Sequence, residues 1–293
     1  VSDSTPRDSI PRDSTPHDST PRDSTPRDPV RLDLELVRRG LARSRGHARA
    51  LVDAGDVTVD GKPASKPSLP VTPGQVIEVR EEGPRWVSRA AYKLLGALET
   101  FGPRGLVVTG RRCLDVGAST GGFTQVLLHH GASHVIALDV GHGQLVPALA
   151  DDPRVTDRSR TTVRDLRAGD LGGAVDLLVA DLSFISLTLV LETFRGLLTD
   201  EGDAVVLVKP QFEVGRTRLG KGGIVRAQGD RAWAVTEVAR AAVAAGLHPQ
   251  GLARSPIEGG EGNAEYLLWL TPRDAQSMGW EALVRAADDV TEP

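Results

Sequence analysis

Beyond residue 110 the chain alternates short apolar runs with longer stretches in which apolar residues recur every three or four positions. The runs predict strands at 112–116, 134–139, 175–180, 204–209, 251–255 and 265–270. The helical spacings predict helices at 122–130, 144–150, 186–198 and 229–246, preceded by one at 88–101 with Ser88 as its cap. Strand and helix in alternation imply a largely parallel sheet covered by helices on both faces. Such sheets bind ligands outside the carboxyl ends of their strands, where strand order reverses. That rule puts the 117–122 loop, Asp139, Asp181 and Lys209 on one rim.

The N-terminal part is patterned differently. Residues 3–27 are five tandem pentamers: DSTPR, DSIPR, DSTPH, DSTPR and DSTPR. A proline in every unit and almost no apolar side chain predict a disordered low-complexity tail over 1–29. From 30 to 80 a compact unit is expected. Leu32, Leu36, Val37 and Leu41 recur at helical spacing with Gly40 as a stop. Ser44 then caps a second helix whose apolar stripe is Ala48, Leu51 and Val52, with Gly55 ending it. Val57-Thr58-Val59 leads through Asp60-Gly61 into a hairpin, and Gln75-Val76-Ile77-Glu78-Val79 makes a last strand. A polar linker at 81–87 separates this unit from the alternating region at 88–272, and 273–293 is a C-terminal extension.

Composition fits two domains in 293 residues. Aromatics are 4% of residues against 40% hydrophobic, so aliphatic side chains and alanine must fill the core. A single cysteine, Cys113, excludes internal disulfides and cysteine-ligated zinc, in keeping with a reducing cytoplasm. No apolar run approaches the roughly 18–20 residues that cross a bilayer, and no signal-peptide core opens the chain. A cytoplasmic monomer with no membrane and no metal partner is therefore expected. The net charge of −4 gives no global sign of nucleic acid, but the charge is unevenly placed. Between residues 31 and 66 there are eight Lys/Arg against five Asp/Glu, and no acid interrupts the basic residues of 38–49. That density predicts a phosphate-binding surface, with Arg31, Arg43, Ser44, Arg45, Arg49, Lys62, Lys66 and Arg85 as its contacts.

Candidate chemistry centres on Cys113-Leu114-Asp115-Val116-Gly117-Ala118-Ser119-Thr120-Gly121-Gly122-Phe123, a strand that bends through glycines into a helix. Glycines let the bend come close to a ligand, and the helix start offers unpaired N–H groups. The spacing is neither G-x-G-x-x-G nor a triphosphate loop. Asp115 before the first glycine and Asp139 at the end of the next run suit a ligand with an amino group and a ribose, as in S-adenosylmethionine. The expected contacts are Asp115, Gly117, Ala118, Ser119, Gly121, Gly122, Phe123, Asp139 and Asp181. Four further charges stand where a core-building sequence would not put them. Lys93 lies inside an apolar helix, Asp181 and Lys209 end strands, and Glu265 opens the last strand.

The string Ser88-Arg89-Ala90-Ala91-Tyr92-Lys93-Leu94 resembles the start of the FtsJ-like ribose 2′-O-methyltransferases, whose Lys-Asp-Lys-Glu tetrad matches Lys93, Asp181, Lys209 and Glu265. The wider set is similar to the TlyA family of rRNA 2′-O-methyltransferases, once called hemolysins. It comprises Arg85-Trp86-Val87-Ser88-Arg89, Gly117-Ala118-Ser119-Thr120-Gly121-Gly122-Phe123-Thr124, Ala180-Asp181-Leu182-Ser183-Phe184-Ile185-Ser186, Val208-Lys209-Pro210-Gln211-Phe212-Glu213 and Gly262-Asn263-Ala264-Glu265-Tyr266. Residues 31–62 resemble an S4-type RNA-binding domain. One departure is Thr161-Thr162-Val163-Arg164, where the family tends to carry Thr-Asn.

The resemblance implies a class I S-adenosylmethionine-dependent methyltransferase: a Rossmann-like α/β fold with a seven-stranded, mostly parallel sheet and a small N-terminal α+β S4-type domain. It implies S-adenosylmethionine as donor and ribosomal RNA, on one or both ribosomal subunits, as partner, with cytidine ribose as the target. Lys209 is then the general base and must be neutral to act, Lys93 holds the 2′-oxygen, and Asp181 and Glu265 orient the two ammonium groups. Other classes fit less well. A lytic membrane protein lacks its spanning segment, and an RNA-binding factor with a degenerate core would not keep the tetrad. A pseudouridine synthase needs an aspartate nucleophile in a mixed β fold. A base N-methyltransferase would show Asn/Asp-Pro-Pro-aromatic where this chain has Asp181-Leu182-Ser183-Phe184.

Overall fold

The computed structural model describes residues 29–53, 55–79, 86–220, 222–259, 262–274 and 277–292. The expected tail up to residue 28, most of the expected linker and Arg85 lie outside them. The chain divides into two compact units, Val1–Pro84 and Arg85–Pro293.

The first unit runs β1 (Val30–Arg31), α1 (Leu32–Arg38), α2 (Arg45–Asp53), β2 (Val57–Val59), β3 (Lys62–Pro63), β4 (Pro70–Val71) and β5 (Ile77–Val79). Leu32, Leu36, Ala48, Val52, Val57, Val59, Val71 and Ile77 close one small core. Ser44 caps α2 as its position predicts, its Oγ accepting from the His47 N–H at 3.2 Å. The β2–β3 turn needs left-handed backbone at both central residues, and Asp60 (φ 51°) and Gly61 (φ 74°) supply it. Asp60 also accepts from the Val76 N–H, which draws Gln75 and Val76 out of the last strand and shortens it to β5. The β1–β4 pair, two residues each, has too little pattern to be seen in the sequence.

The second unit contains α3 (Ala91–Phe101), β6 (Arg112–Val116), α4 (Gly122–His129), β7 (His134–Asp139), α5 (Pro147–Ala150), β8 (Val155–Ser159), β9 (Val175–Ala180), α6 (Leu191–Leu197), β10 (Leu198–Val208), α7 (Pro210–Glu213), α8 (Gln228–Ala244), β11 (His248–Arg254), β12 (Tyr266–Thr271) and α9 (Trp280–Thr291). Seven strands form one sheet in the order β11-β12-β10-β9-β6-β7-β8. It is parallel from β10 to β8, while β12 runs antiparallel to both of its neighbours. Alternate residues of each strand feed two cores. Leu114, Ile136, Leu178 and Val206 face α6, α8 and α9, whereas Cys113, Val135, Leu177 and Val205 face α3 and α4. Burial pushes the Cys113 thiol up to about 12, so the sole cysteine is a core residue and not a nucleophile.

Chain order and sheet order part company at β6. The chain fills β7 and β8 on one side and then crosses back to β9 on the other. The crevice this opens lies between the ends of β6 and β9, where Val116 pairs with Ala180. Gly117 and Asp181 are the next residues of each strand. Trp86 and Val87, expected in the linker, belong to the second unit: Trp86 is buried there, and the Val87 N–H donates to Gln125 Oε1 at 2.8 Å.

Candidate active site

Strand register brings the tetrad together. Val208 pairs with Tyr266, so Lys209 and Glu265, one residue outward on antiparallel strands, leave the sheet side by side. Ala180 pairs with Val206 on the other flank of β10 and presents Asp181 at the same rim. Lys93 enters from α3, where it is buried with Ala91, Leu94 and Ala97. Its Nζ lies 2.7 Å from Glu265 Oε2 and 3.1 Å from Asp181 Oδ2. Lys209 Nζ lies 2.6 Å from Asp181 Oδ1, 4.0 Å from Glu265 Oε1 and donates to Ser183 Oγ at 3.0 Å. Side-chain exposures run from 3% to 13%, so two cations and two anions neutralise one another almost out of solvent. Such a cluster survives burial only because every member has a partner.

A cavity of about 250 Å³ opens beside the tetrad. Its walls include Ser88, Arg89, Gly117, Ser119, Gly122 and Phe123 with Asp181, Ser183 and Lys209. Ala118 and Thr120 also line it. The loop can be this close only because Gly117 and Gly122 lack side chains. A Cβ at Gly117 (φ +86°) would stand 2.7 Å from the Asp181 carbonyl oxygen, and one at Gly122 would overlap Ser88 Oγ. Gly121 lies behind the wall, against Leu145 and Leu149. Asp139 adjoins the loop: its Oδ2 accepts from the Ser119 N–H at 2.9 Å and its Oδ1 from the Gly141 N–H at 2.7 Å.

Three of the expected contacts, Gly121, Asp139 and Asp115, stand off the cavity wall. Asp115 is fully buried and lines no part of this cavity. Its Oδ2 accepts from Thr124 Oγ1 at 2.7 Å, and Thr124 adds its backbone N–H. Because β6 points odd-numbered residues toward α4, the carboxyl meets the first turn of that helix. Burial pushes it up to about 7. Ser183 and Arg89 have no role in the sequence reading, and Ser88, expected as the helix cap, lines the cavity instead, since α3 starts at Ala91 without a side-chain cap. Ser183 carried a signal, since it stands two residues beyond Asp181 in an apolar segment.

The basic residues of the first unit are also rearranged. Asp33 and Glu35 are 1% and 2% exposed. Arg31 bonds both oxygens of Asp33, and Arg45 reaches Asp33 Oδ2 at 3.2 Å. Arg38 and Arg39 converge on Glu35 at 2.5–2.6 Å. The arginine hydrogen bonds hold both carboxyls down to about 2. Arg31 and Arg45 are therefore partly neutralised within the fold, while Arg43, Ser44, Arg49, Lys62 and Lys66 are exposed. Arg85 lies outside the described residues. Among the described residues no helix is long and apolar enough to cross a membrane, and no group of three or more His, Cys, Asp or Glu could hold a metal ion.

The chain is similar to known proteins over most of its length. The FtsJ-like methyltransferase family matches residues 86–271, and the S4 domain matches residues 30–77. The chain is 52% identical over 261 residues to the 16S/23S rRNA (cytidine-2′-O)-methyltransferase TlyA of Mycobacterium tuberculosis, covering 88% of this chain and 96% of that one. It is 37% identical over 239 residues to Hemolysin A of Brachyspira hyodysenteriae, covering 81% and 98%. A solved Streptococcus thermophilus structure given the name hemolysin superposes with a TM-score of 0.63 at 37% identity, covering 88% of this chain and 96% of that one. With both matched regions present in one chain and nearly the whole length of its relatives covered, the protein belongs to the TlyA family of FtsJ-like methyltransferases.

Proposed function

We propose that this chain transfers a methyl group from S-adenosylmethionine to the 2′-oxygen of a ribose in ribosomal RNA, at cytidine. The observation that carries the reading is the buried Lys93–Asp181–Lys209–Glu265 cluster at the edge of a glycine-walled cavity. The cavity suits that donor, since Gly117 and Gly122 let the loop pack against Asp181 and Ser88 at the wall, where a Cβ would collide. The first turn of α4 offers N–H groups to a carboxylate, and Asp139 offers oxygens to ribose hydroxyls. When bound, S-adenosylmethionine supplies an electrophilic methyl group on its sulfonium.

The chain's own residues do the rest. A ribose hydroxyl is a weak nucleophile and must lose its proton as it attacks. Lys93, fixed between two carboxylates, holds the 2′-oxygen and stabilises the negative charge that develops on it. Lys209 takes the proton. To do so it first gives up one of its own, for which the Asp181 carboxylate oxygen Oδ1 is the acceptor within reach, while Ser183 Oγ accepts only a hydrogen bond. Alignment of the reacting atoms between these fixed groups supplies much of the acceleration. Phe184 supports an RNA substrate. It is 92% exposed, holds a left-handed backbone (φ 65°), and its ring lies 5.3 Å from that of Phe212, next to the Lys209 turn. An unstacked base has a platform there. The exposed cations of the first unit serve phosphates.

The test is methyl transfer from labelled donor to isolated ribosomal subunits, followed by mapping of the modified atom. Label is expected on ribose 2′-oxygens, and Lys209→Ala should abolish it while donor affinity stays within a few-fold. Label on base atoms alone, or a Lys209→Ala protein of normal rate, would refute the reading.

A further inference from the structure

Asp181, Ser183 and Phe184 lie on the segment that leaves β9, and Lys209 and Phe212 on the turn that leaves β10. The reaction proposed above needs these two segments held in fixed relation, because Lys209 Nζ bonds both Asp181 and Ser183. Sheet register stops at Ala180 and Val208, so beyond those residues something else must hold them.

Glu213, the last residue of α7, bridges the gap. Its Oε1 accepts from the Leu187 N–H at 2.9 Å and its Oε2 from the Ser186 hydroxyl at 2.5 Å. Ser186 is itself fixed, since its Oγ accepts from the Thr188 N–H at 3.2 Å and so caps the short 3-10 turn Leu187–Leu189. Leu187, Val190 and Leu191 anchor that turn in the core at 2% exposure or less. Glu213 thus ties the far end of the Asp181 segment to the far end of the Lys209 turn. It lines no part of the cavity and bonds none of the four tetrad residues. Burial pushes its carboxyl up, so keeping it there costs solvation that its two bonds offset.

We propose that Glu213 is a positioning residue for methyl transfer: by latching Ser186 and Leu187 to the Lys209 turn, it sets where Lys209 Nζ stands between Asp181 and Ser183. The inference rests on the function proposed above. It is geometric rather than electrostatic, and this makes it separable from a charge effect. A glutamine at 213 can still accept from the Leu187 N–H through its carbonyl oxygen and donate to Ser186 Oγ, whereas an alanine can do neither.

The test compares Glu213→Ala, Glu213→Gln and Ser186→Ala in the full chain, with kcat and KM on ribosomal subunits, donor affinity by calorimetry and amide exchange of residues 183–188. Glu213→Ala should lower kcat by about ten- to a hundredfold with donor affinity within about twofold, as expected for a displaced catalytic group. Ser186→Ala should lower it less, the double Ala variant no further than Glu213→Ala alone, and Glu213→Gln should recover most of the rate. Amide exchange at Leu187 should rise in Glu213→Ala and stay protected in Glu213→Gln. That readout needs no methyl transfer, so the latch is tested even where the proposed reaction is not seen. The proposal is overturned by unchanged Leu187 exchange in Glu213→Ala, by an unchanged kcat in that variant, by an equal loss in Gln and Ala, or by a change confined to KM. If Glu213→Ala does not fold, Ser186→Ala and Glu213→Gln carry the same comparison.

Discussion

Replacing Lys93 by methionine keeps the stem of the side chain and removes one charge from a cluster that is otherwise neutral. The ammonium stands 2.7 Å from Glu265 and 3.1 Å from Asp181. Without it, Lys209 alone must answer two carboxylates, and Glu265, at 3% exposure, keeps only a 4.0 Å contact to that lysine. Breaking a buried pair from one side costs about 3–5 kcal/mol. Asp181 is on the cavity wall at 13% exposure, so water reaches part of the site and the lower figure applies. At about 2–4 °C per kcal/mol for a unit of this size, Lys93→Met should lower Tm by about 6–12 °C. The melt can be followed by fluorescence, because Trp86, Trp233, Trp269 and Trp280 all lie in the second unit. Lys93→Met/Glu265→Gln removes the orphaned charge together with the lysine, and should return most of the lost stability while methyl transfer stays absent. Salt should change neither result, since the pair is buried. A Lys93→Met protein that melts with the parent, or a double variant less stable than the single, would show that the four charges do not act as one neutral unit.

Acid should separate the two units. Asp33 and Glu35, held at about 2 in the fold against ordinary values of 3.8 and 4.5, contribute stability that is present above about 4.5 and lost as pH falls toward 2. Amide exchange of residues 32–38 should therefore quicken through that window, and unchanged protection at pH 3 would refute it. Asp115 has the opposite sign. Its folded value is about 7 against 3.8, so the second unit should lose stability as pH rises from about 4 to 7, and Asp115→Asn should flatten that slope in tryptophan-monitored melts. An unaltered slope would mean that the buried carboxyl finds a partner besides Thr124. In the first unit, Arg49→Ala, Lys62→Ala and Lys66→Ala should each flatten the salt dependence of RNA binding by about one unit and leave stability alone. Arg45→Ala should also loosen the unit, because Asp33 loses a partner, and equal stability of Arg45→Ala and Arg49→Ala would count against the pairing.

Much of the second unit is legible in the sequence because its pattern is strong. Every predicted strand is present, and the helices differ from the spacing mainly at their ends. The omissions have physical reasons. β8, Val-Thr-Asp-Arg-Ser, is an edge strand with one partner and largely open faces, so nothing demands an apolar run. α9 falls in the expected C-terminal extension, although Leu283, Ala287 and Val290 are spaced to pack on α8. The tetrad is legible because charge in an apolar helix or at a strand end has no packing purpose. Glu213 is not: it closes a matched string at 208–213, but nothing in that string gives it a role until its two bonds are seen.

The basic stretch teaches a different lesson about charge read along a chain. Residues 38–49 contain no acid, yet the acids that matter lie just before them and point inward. Glu35 stands three and four positions from Arg38 and Arg39, the spacing at which helical side chains meet, so that pairing is available to sequence reasoning. Asp33 is not. Its grip on Arg45 depends on the loop that brings α2 back to the start of α1. Of the eight cations between residues 31 and 66, four (Arg31, Arg38, Arg39 and Arg45) are held by these two carboxylates, leaving Arg43, Arg49, Lys62 and Lys66 outside those pairs. Half of the charge that the sequence offers to phosphate is therefore engaged in holding two buried acids in place, so arginines expected at an RNA surface also fix the helices that carry them.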